Sequence, residues 1–271
     1  MKDLSPVYVD LHYKYYGRNP IRSAREVLCL HLEGDPASEL TSGRGAGDLE
    51  EPGPLSPRAE SNGRAIPVKT HILGPRDDLS EVIRKYAAPV ASPEDVVAIA
   101  ESVVAITQGR FAYVEDIEPG FWARRLNRFF HYDSSLGSVY SMEMAIREVG
   151  LFRMLIGVLV GSLGRLVGRK GDFYRITGRG AATIDDCTGT MPPYDKCVVL
   201  GPKDPGGTAA ALKDKTGLAI AVVDANDLRK VDVLGVSPGV SREDLAEALR
   251  HNPQGNADEQ TPLVVVKKKG S

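Results

Sequence analysis

Carboxylate side chains follow two short apolar runs in the last third of the chain. Asp224 comes directly after residues 218–223, which read as a buried strand, and Asp185 and Asp186 come after residues 181–184, which predict another strand. Ligands of open α/β sheets bind beyond the carboxyl ends of the strands. Magnesium prefers oxygen ligands and takes one or two protein carboxylates, so Asp224 with Asp185 or Asp186 would suffice. Asp is also a common turn residue that hydrogen-bonds local backbone, and both interpretations stay open here.

A strand, a loop and a helix connect these two places. The strand ends at Leu200, residues 201–207 form a Gly- and Pro-rich loop, and a helix capped by Thr208 runs to Lys215 before Gly217. The loop lacks the G-x-x-x-x-G-K-[ST] spacing of a P-loop. Its backbone amides still offer hydrogen-bond donors to an anion.

The elements upstream alternate between strands and helices. Residues 7–14 alternate between apolar and polar side chains, which predicts a half-buried strand, whereas residues 23–32 fit either a helix or a second strand. Residues 67–73 and 173–177 also predict strands. Asp77 and Asp78 predict the start of a helix that stops before Pro89, and residues 96–100 predict a strand followed by a short helix ending at Gly109.

One compositional break divides this pattern into parts. Residues 34–64 are rich in Gly, Pro, Ser, Glu and Ala without apolar periodicity, which predicts a flexible insert. We therefore expect an N-terminal segment over residues 1–33, the insert, and a main domain over residues 65–271. The predicted fold class is α+β, with mixed sheets and flanking helices.

The apolar segment at residues 150–171 raises the question of a membrane span. Arg153 and Arg165 leave only residues 154–164 uncharged between them, well below the roughly 20 residues that a span needs. We predict no integral span. The favoured interpretation is a buried helix whose Gly157, Gly161 and Gly164 permit close packing, with peripheral membrane contact as the alternative.

Composition excludes several classes of protein. The 271 residues carry a formal net charge of −2, so we expect no broad nucleic-acid surface. Three cysteines without C-x-x-C spacing argue against a disulfide framework or a thiolate zinc site, and they favour a cytoplasmic protein. Phosphate on a small molecule is the more natural anionic partner.

Several short motifs, taken in order, resemble the coenzyme F-420-0:L-glutamate (gamma-glutamyl) ligase family. They cover most of residues 66–266 and are Ile66-Pro67-Val68-Lys69, Asp77-Asp78-Leu79, Val103-Val104 with Gly109-Arg110, VVLGPKDP from Val198, VVDANDL from Val222, and GNADEQTPLVVVKK near the C-terminus.

The resemblance implies a gamma-glutamyl ligase-like fold, a homodimer and GTP-dependent amide ligation. An amino acid such as L-glutamate would be joined to a carboxylate of a coenzyme F-420-like or other acceptor. It implies magnesium or manganese at Asp224 with Asp185 or Asp186. The nucleotide-binding candidates are Ser102, Lys203 and Asn226, and no catalytic residue is assigned.

Two positions depart from the family pattern. Ala225 stands where the family has a threonine, and Ile106 stands where it has a lysine. Asn226 or Asp227 would have to replace the lost oxygen ligand. The candidates for the lost charge are Lys196, Lys203, Arg229 and Lys230.

Three functions remain open on the sequence. The first is a ligase of the gamma-glutamyl type, whose acceptor is either the carboxylate of a coenzyme F-420-like molecule or another carboxylate. The second is a protein of the same fold that binds nucleotide or metal without turnover. The third is a membrane-peripheral interaction protein built around residues 150–171.

Overall fold

The computed structural model describes residues 7–15, 22–30, 64–131, 134–186, 193–225, 230–255 and 260–268, the first two ranges by their backbone. The chain divides into two compact units, residues 1–51 and residues 52–271. In the first unit, strands β1 (Val7–Tyr15) and β2 (Arg22–Leu30) pair antiparallel. The strand predicted at residues 7–14 is thus confirmed, and the undecided segment after it is a strand. The insert predicted at residues 34–64 lies outside the described residues, apart from Arg64.

The second unit is built on a mixed sheet. The strands of this unit are β3 (Ala65–Val68), β4 (Val96–Ala100), β5 (Phe111–Tyr113), β6 (Cys197–Val199), β7 (Ala219–Ala225), β8 (Val231–Val236) and β9 (Leu263–Val266). Five of them form one sheet in the order β3, β9, β4, β7, β8, while β5 and β6 pair separately. Within the five-stranded sheet, β4 and β7 are parallel and the other pairs are antiparallel. The carboxyl ends of β4 and β7 therefore meet at one edge.

The helices lie around these strands. They are α1 (Leu79–Val82), extended by a π-helical turn over Ile83–Ala87, α2 (Glu101–Thr107), α3 (Phe121–Leu126), α4 (Val139–Val149), α5 (Leu151–Leu166), α6 (Asp172–Thr177), α7 (Arg179–Ala182), α8 (Pro205–Thr216) and α9 (Arg242–Leu249). This mixed sheet with flanking helices confirms the α+β class.

Successive side chains of each central strand point to opposite faces of the sheet, and both faces are buried. Ile99 and Val222 pack in one core with Leu79 of α1 and Leu212 of α8. Ala98, Ala221 and Val223 pack in a second core with Leu245 and Leu249 of α9. A third core joins helices α3–α7 to β6 through residues that include Met142, Met154, Phe173 and Val198. Helices thus cover both faces of the sheet and hold its strand ends in place.

The helix boundaries follow local capping chemistry. The Asp78 carboxylate accepts from the Ser80 amide at 2.8 Å and starts α1, as the sequence predicts. Strand β4 and helix α2 are also confirmed, and α2 ends before Gly109, whose φ is +69°. The predicted Thr208 cap of α8 is wrong. Asp204 is the cap and accepts from the Gly207 amide at 2.9 Å, because Pro205 is suited to the first helical position.

Two predicted strands are helices. Residues 173–177 lie in α6, and residues 181–184 begin in α7 and leave it after Ala182. Phe173 and Thr177 are four residues apart and both face Gly157 of α5, a contact that requires helical spacing. Tertiary packing therefore overrides the β preference of these aromatic and β-branched residues. The strand predicted over residues 67–73 is likewise shorter and ends at Val68.

Helix α5 agrees only in part with the interpretation as a buried helix. Gly157 and Gly161 approach Phe173 closely, which confirms the predicted role of these glycines. The opposite face exposes Phe152, Leu159 and Leu163, so the prediction of a buried helix is wrong for that face. Among the described residues, no single helix is long and apolar enough to cross a membrane, although α4 and α5 together pass that test across a 114° bend.

Candidate functional site

A cavity of about 430 Å³ opens at the carboxyl ends of β4 and β7. One wall contains Ala100, Glu101 and Ser102 at the junction of β4 and α2, together with Asp224 and Ala225 at the end of β7. The segment at residues 179–185 supplies further lining residues, and residues 70–73 and 260–262 supply others. The edge at which the two parallel strands end is therefore open to a ligand, as expected for such sheets.

Asp224 is held by sheet pairing. It is the second-last residue of β7, and its register partner across the antiparallel pair is Asp232 of β8. The interpretation of Asp224 as a turn residue is therefore wrong, because the strand continues through Ala225. The pairing of β7 with β8 fixes the backbone at Asp224, and the side chain of this residue lines the cavity.

Asp185 is fixed by a different piece of backbone. It forms an isolated antiparallel bridge with Val199 at the end of β6, with N···O distances of 2.8 and 3.0 Å in the two directions. The bridge anchors the residue after the α7 segment and leaves the Asp185 side chain in the cavity lining. Two carboxylates from different elements thus face the same space.

Glu101 is a third carboxylate of this cavity. It is the first residue of α2, directly after β4. Its Oε1 atom is buried and accepts no hydrogen bond from the residues that the structure describes. Burial, followed by the charges of Asp224 and Asp185, raises the pKa of Glu101 to about 8. A buried carboxylate oxygen without a donor is the kind of atom that a cation or a proton satisfies.

The same causes act on the two aspartates. Burial, then the charges of Asp224 and Asp186, raises the pKa of Asp185 to about 6. Burial and the charge of Asp232 raise the pKa of Asp224, whereas Lys230 lowers it. Burial is the main cause of these shifts, and the neighbouring carboxylates add to it; a bound cation would offset that second contribution.

Two cationic side chains lie in the lining of the same cavity. Arg179, at the start of α7, places Nη2 3.4 Å from Oδ1 of Asp232, and Lys230 precedes β8. A cavity that joins carboxylates to an arginine and a lysine suits a ligand with phosphate groups and a bound cation.

The structure separates the sequence-predicted residues into groups. Asp185, Asp224 and Ser102 line the cavity described above. Asp186 does not, because its Oδ1 accepts from the buried Ser141 hydroxyl of α4 at 2.9 Å. Asn226 lies outside the described residues.

Lys203 lines a second cavity. This space of about 380 Å³ also involves Arg110, Gly201 and Pro205, and it shares Arg179 and Thr183 with the first cavity. The Lys203 backbone is held by Gln108, whose side chain accepts from the Lys203 amide at 2.7 Å and donates to its carbonyl at 3.0 Å. Lys203 is thus fixed beside the first cavity rather than within it.

The two departures from the family pattern both fall in the first cavity. Ala225 and Ile106 are among its lining residues, and Ile106 is buried with Val199 and Tyr194. Of the candidate replacements, Lys230 lines this cavity, Lys203 lines the second, and Lys196 lines neither. Asp227 and Arg229 lie outside the described residues.

Glu101, Arg179 and Asp232 are cavity residues that sequence reasoning missed. Glu101 follows the predicted strand at residues 96–100 directly, so the argument applied to Asp224 would have found it. Arg179 carries no comparable signal, because its segment was predicted to lie between two strands.

The donor set decides which metal would fit. Among the described residues, no group of three or more His, Cys, Asp or Glu side chains is arranged to hold a metal ion. Magnesium, however, usually takes one or two carboxylates and completes its shell with water and phosphate oxygens. The all-oxygen donors Asp185 and Asp224, with the unsatisfied Glu101 oxygen nearby, fit magnesium or manganese in that manner.

A protein-family model matches most of the chain. The family model described as F420-0:Gamma-glutamyl ligase matches residues 67–242. A search of curated proteins finds no match. The matched range contains β4, α2, α7, β7 and β8, and with them the carboxylates Glu101, Asp185, Asp224 and Asp232 and the cations Arg179 and Lys230 of the first cavity.

Proposed function

Because the chain belongs to the F420-0:gamma-glutamyl ligase family, we propose that it is a nucleotide- and metal-dependent amide ligase. It joins an amino acid such as L-glutamate to a carboxylate of a coenzyme F-420-like or other acceptor, with GTP as the co-substrate. The observation that carries this proposal is the cavity in which Glu101, Asp185 and Asp224 converge with Arg179 and Lys230.

The reaction needs two bond exchanges. An acceptor carboxylate oxygen attacks the terminal phosphorus of the nucleotide, and the bond to the leaving nucleoside diphosphate breaks. The amine nitrogen then attacks the acyl carbon, the bond from that carbon to the phosphate-bearing oxygen breaks, and inorganic phosphate leaves. The nitrogen also loses a proton. Charge builds on phosphate oxygens in the first exchange and on the acyl oxygen in the second.

The residues of the cavity match these demands. Arg179 and Lys230 offer cationic groups to the phosphate oxygens, and Arg179 also borders the second cavity with Lys203 and Arg110. Apolar side chains, including Leu73, Val103 and Ile106, line the same space and limit water access. Ser102, at the start of α2, offers a hydroxyl to the nucleotide.

Asp185 and Asp224 are the proposed holders of magnesium or manganese, with Glu101 beside them. When bound, the cation offsets the negative charge of the phosphate oxygens and orients them. These carboxylates share the cavity lining with the cationic side chains of Arg179 and Lys230.

A second candidate function rests on Ala225 and Ile106. Both line the cavity, and neither supplies the hydroxyl or the cation of the family pattern. A protein with these substitutions that binds nucleotide and metal without turnover is the alternative. Its signature is metal-dependent nucleotide binding without phosphate release.

The deciding experiment combines binding with turnover. Titration calorimetry with GTP or ATP, each with and without Mg²⁺ or Mn²⁺, measures binding, and inorganic phosphate release with and without L-glutamate and a carboxylate acceptor measures ligation. Asp185→Asn and Asp186→Asn form a matched pair, because only Asp185 lines the cavity. We expect metal-dependent GTP binding and amine-dependent phosphate release in the wild type. Asp185→Asn should lose both, whereas Asp186→Asn should keep them.

Two other results would count against ligation. Binding without phosphate release in any amine and acceptor mixture would favour the second candidate. An absence of nucleotide binding by a folded protein would contradict both.

A further inference from the structure

The surface of α5 is the largest feature that the proposed ligation does not use. Four exposed apolar side chains, Phe152, Leu159, Leu163 and Leu166, follow one another along this helix. At 3.6 residues per turn they lie within an arc of about 60°. Phe152 is 77% exposed and Leu166 is 83% exposed, so the helix presents a continuous apolar stripe to solvent.

The opposite face of α5 accounts for its stability without that stripe. Gly157 and Gly161 lie against Phe173 of α6, where an added Cβ at Gly161 would stand 3.0 Å from the Phe173 Cβ. Met154 and Val158 are buried in the helical core. The four stripe side chains are not part of that core and each is more than half exposed, so the stripe calls for a separate explanation.

The exposed charges of residues 150–184, the segment that contains the stripe, have one sign. Residues 150–184 contain six basic residues and one acidic residue, Asp172. Asp172 is buried and its Oδ1 accepts from Arg169 at 3.3 Å and from Arg175 at 2.7 Å, so it leaves no exposed negative charge. Arg165, Arg169 and Lys170 are exposed at the end of α5 and just after it. This basic cluster stands out in a chain whose formal net charge is −2.

We propose that the α5 stripe and the basic residues at its end bind an anionic lipid surface. Val167, which is 72% exposed, continues the apolar surface between the cations. An exposed apolar helix face bordered by arginine and lysine is the pattern of helices that lie in the membrane interface. A second copy of the chain would cover the apolar stripe but would give no role to the basic residues at its end, so the lipid surface accounts for both features.

Binding to vesicles tests the proposal. The full-length protein is sedimented with vesicles of phosphatidylcholine alone, or of phosphatidylcholine with an equal part of phosphatidylglycerol. We expect roughly a hundredfold tighter binding to the anionic vesicles, because Arg165, Arg169 and Lys170 each contribute about fivefold near such a surface. Raising the salt from about 0.1 M to about 0.5 M should reduce this binding severalfold, since screening weakens the attraction.

Matched variants separate the apolar and the charged contributions. Leu159→Ser with Leu163→Ser should lower binding at least fivefold while leaving the fold intact, because both side chains are exposed. Arg165→Gln with Lys170→Gln should lower it about twentyfold, because two of the three fivefold contributions are removed. The control, Lys85→Gln with Lys215→Gln, removes the same charge from exposed positions on other helices and should bind as the wild type does.

Three outcomes would overturn the proposal. Equal binding to neutral and anionic vesicles would remove the charge complementarity on which it rests. Unchanged binding of the Leu159→Ser, Leu163→Ser variant would exclude the stripe. An absence of vesicle binding, combined with a dimer that this variant dissociates in analytical ultracentrifugation, would assign the stripe to a second copy. Circular dichroism of each variant confirms that the protein is folded.

Discussion

Asp224 lies directly opposite Asp232 in the antiparallel pairing of β7 with β8, and both side chains line the cavity at the end of the sheet. Like charges opposite each other on paired strands are destabilising. Arg179, 3.4 Å from Asp232, and Lys230, which lowers the pKa of Asp224, only partly offset this repulsion. The fold therefore maintains an arrangement that is unfavourable when no ligand is present, which is typical of functional sites.

The first prediction concerns the metal. Mg²⁺ or Mn²⁺ should raise the thermal unfolding temperature, because an ion that binds only the folded state stabilises it. At a concentration about 100 times the dissociation constant, the gain should be about 2.7 kcal/mol. Asp224→Asn should abolish the metal-induced shift in differential scanning fluorimetry. Asp186→Asn is the control and should retain it, and an equal shift in both variants would contradict the assignment.

The second prediction concerns the pH dependence of stability without metal. The pKa of Glu101 is about 8 in the folded protein, against an ordinary value of 4.5. Between these values the unfolded chain releases the proton and the folded protein keeps it. The free energy of unfolding should therefore fall as pH rises through this window, with the contribution of Glu101 lost above its folded pKa.

Glu101→Gln isolates this contribution. The variant should flatten the pH profile and exceed the wild type near pH 9 by about 2–4 kcal/mol. Urea unfolding at about pH 5, 7 and 9 in the presence of a chelator is the measurement. Glu94→Gln, which removes an exposed carboxylate that pairs with Lys268, should leave the profile unchanged. A profile of Glu101→Gln that parallels the wild type would show that burial of Glu101 is not the cause.

Much of the sheet is readable from the sequence, because its central strands are continuous apolar runs. The strand at residues 96–100 and the strand end at Asp224 both follow from that pattern. The error at residues 173–177 arose where packing against Gly157 and Gly161 of α5 decided the structure, and helix α7, which includes residues 181–182, packs against α4 and α6. The β-strand preference of one segment contains no information about its contact with a distant helix.

The site was predictable only where a carboxylate follows a strand. Asp185 and Asp224 satisfy that rule in the predicted pattern, although the segment before Asp185 is in fact helical. Arg179 reaches the cavity through the placement of α7, and the turn of Asp186 toward Ser141 depends on the packing of α4. Both are tertiary effects between residues distant in sequence.

The third prediction concerns the phosphate-facing charge. Arg179→Gln should weaken nucleotide binding about tenfold, because Arg179 is shared by the two cavities and charged hydrogen bonds to phosphate are strong. Arg179→Lys should recover part of this loss, since it keeps the charge but not the planar group. Titration calorimetry gives the affinities. Lys196 lines neither cavity, so Lys196→Gln is the control. A comparable loss of affinity in that variant would mean that the net charge of the protein, and not the position of Arg179, sets the affinity.

The fourth prediction concerns the position at which the family has a lysine. Ile106 is only 3% exposed and packs with Ala105, Tyr194 and Val199. Ile106→Lys should lower the free energy of unfolding by about 3 kcal/mol, because the cost of burying an ammonium group at this packed position exceeds what the cavity carboxylates return. Ile106→Val is the control and should cost only about 1 kcal/mol. If Ile106→Lys is as stable as the wild type and binds nucleotide more tightly, the cavity accepts the lysine that the family has at this position.

The fifth prediction separates packing from helix propensity in α5. Alanine is intrinsically better than glycine in a helix by about 1 kcal/mol, so Gly157→Ala would stabilise an isolated helix. In this fold the added Cβ would stand 2.6 Å from Cγ2 of Thr177 and 3.1 Å from Cδ2 of Phe173. Because α6 would have to move away, the variant should lose about 1–2 kcal/mol in urea unfolding.

Gly206→Ala is the matched comparison for that variant. Gly206 is also helical, in α8, but an added Cβ there meets no atom within 4 Å among the described residues. We expect its stability to be unchanged or raised by up to about 1 kcal/mol, since only propensity acts. Equal effects of the two substitutions would mean that the close α5–α6 contact does not limit stability. That contact would then not explain why residues 172–177 form a helix and not the predicted strand.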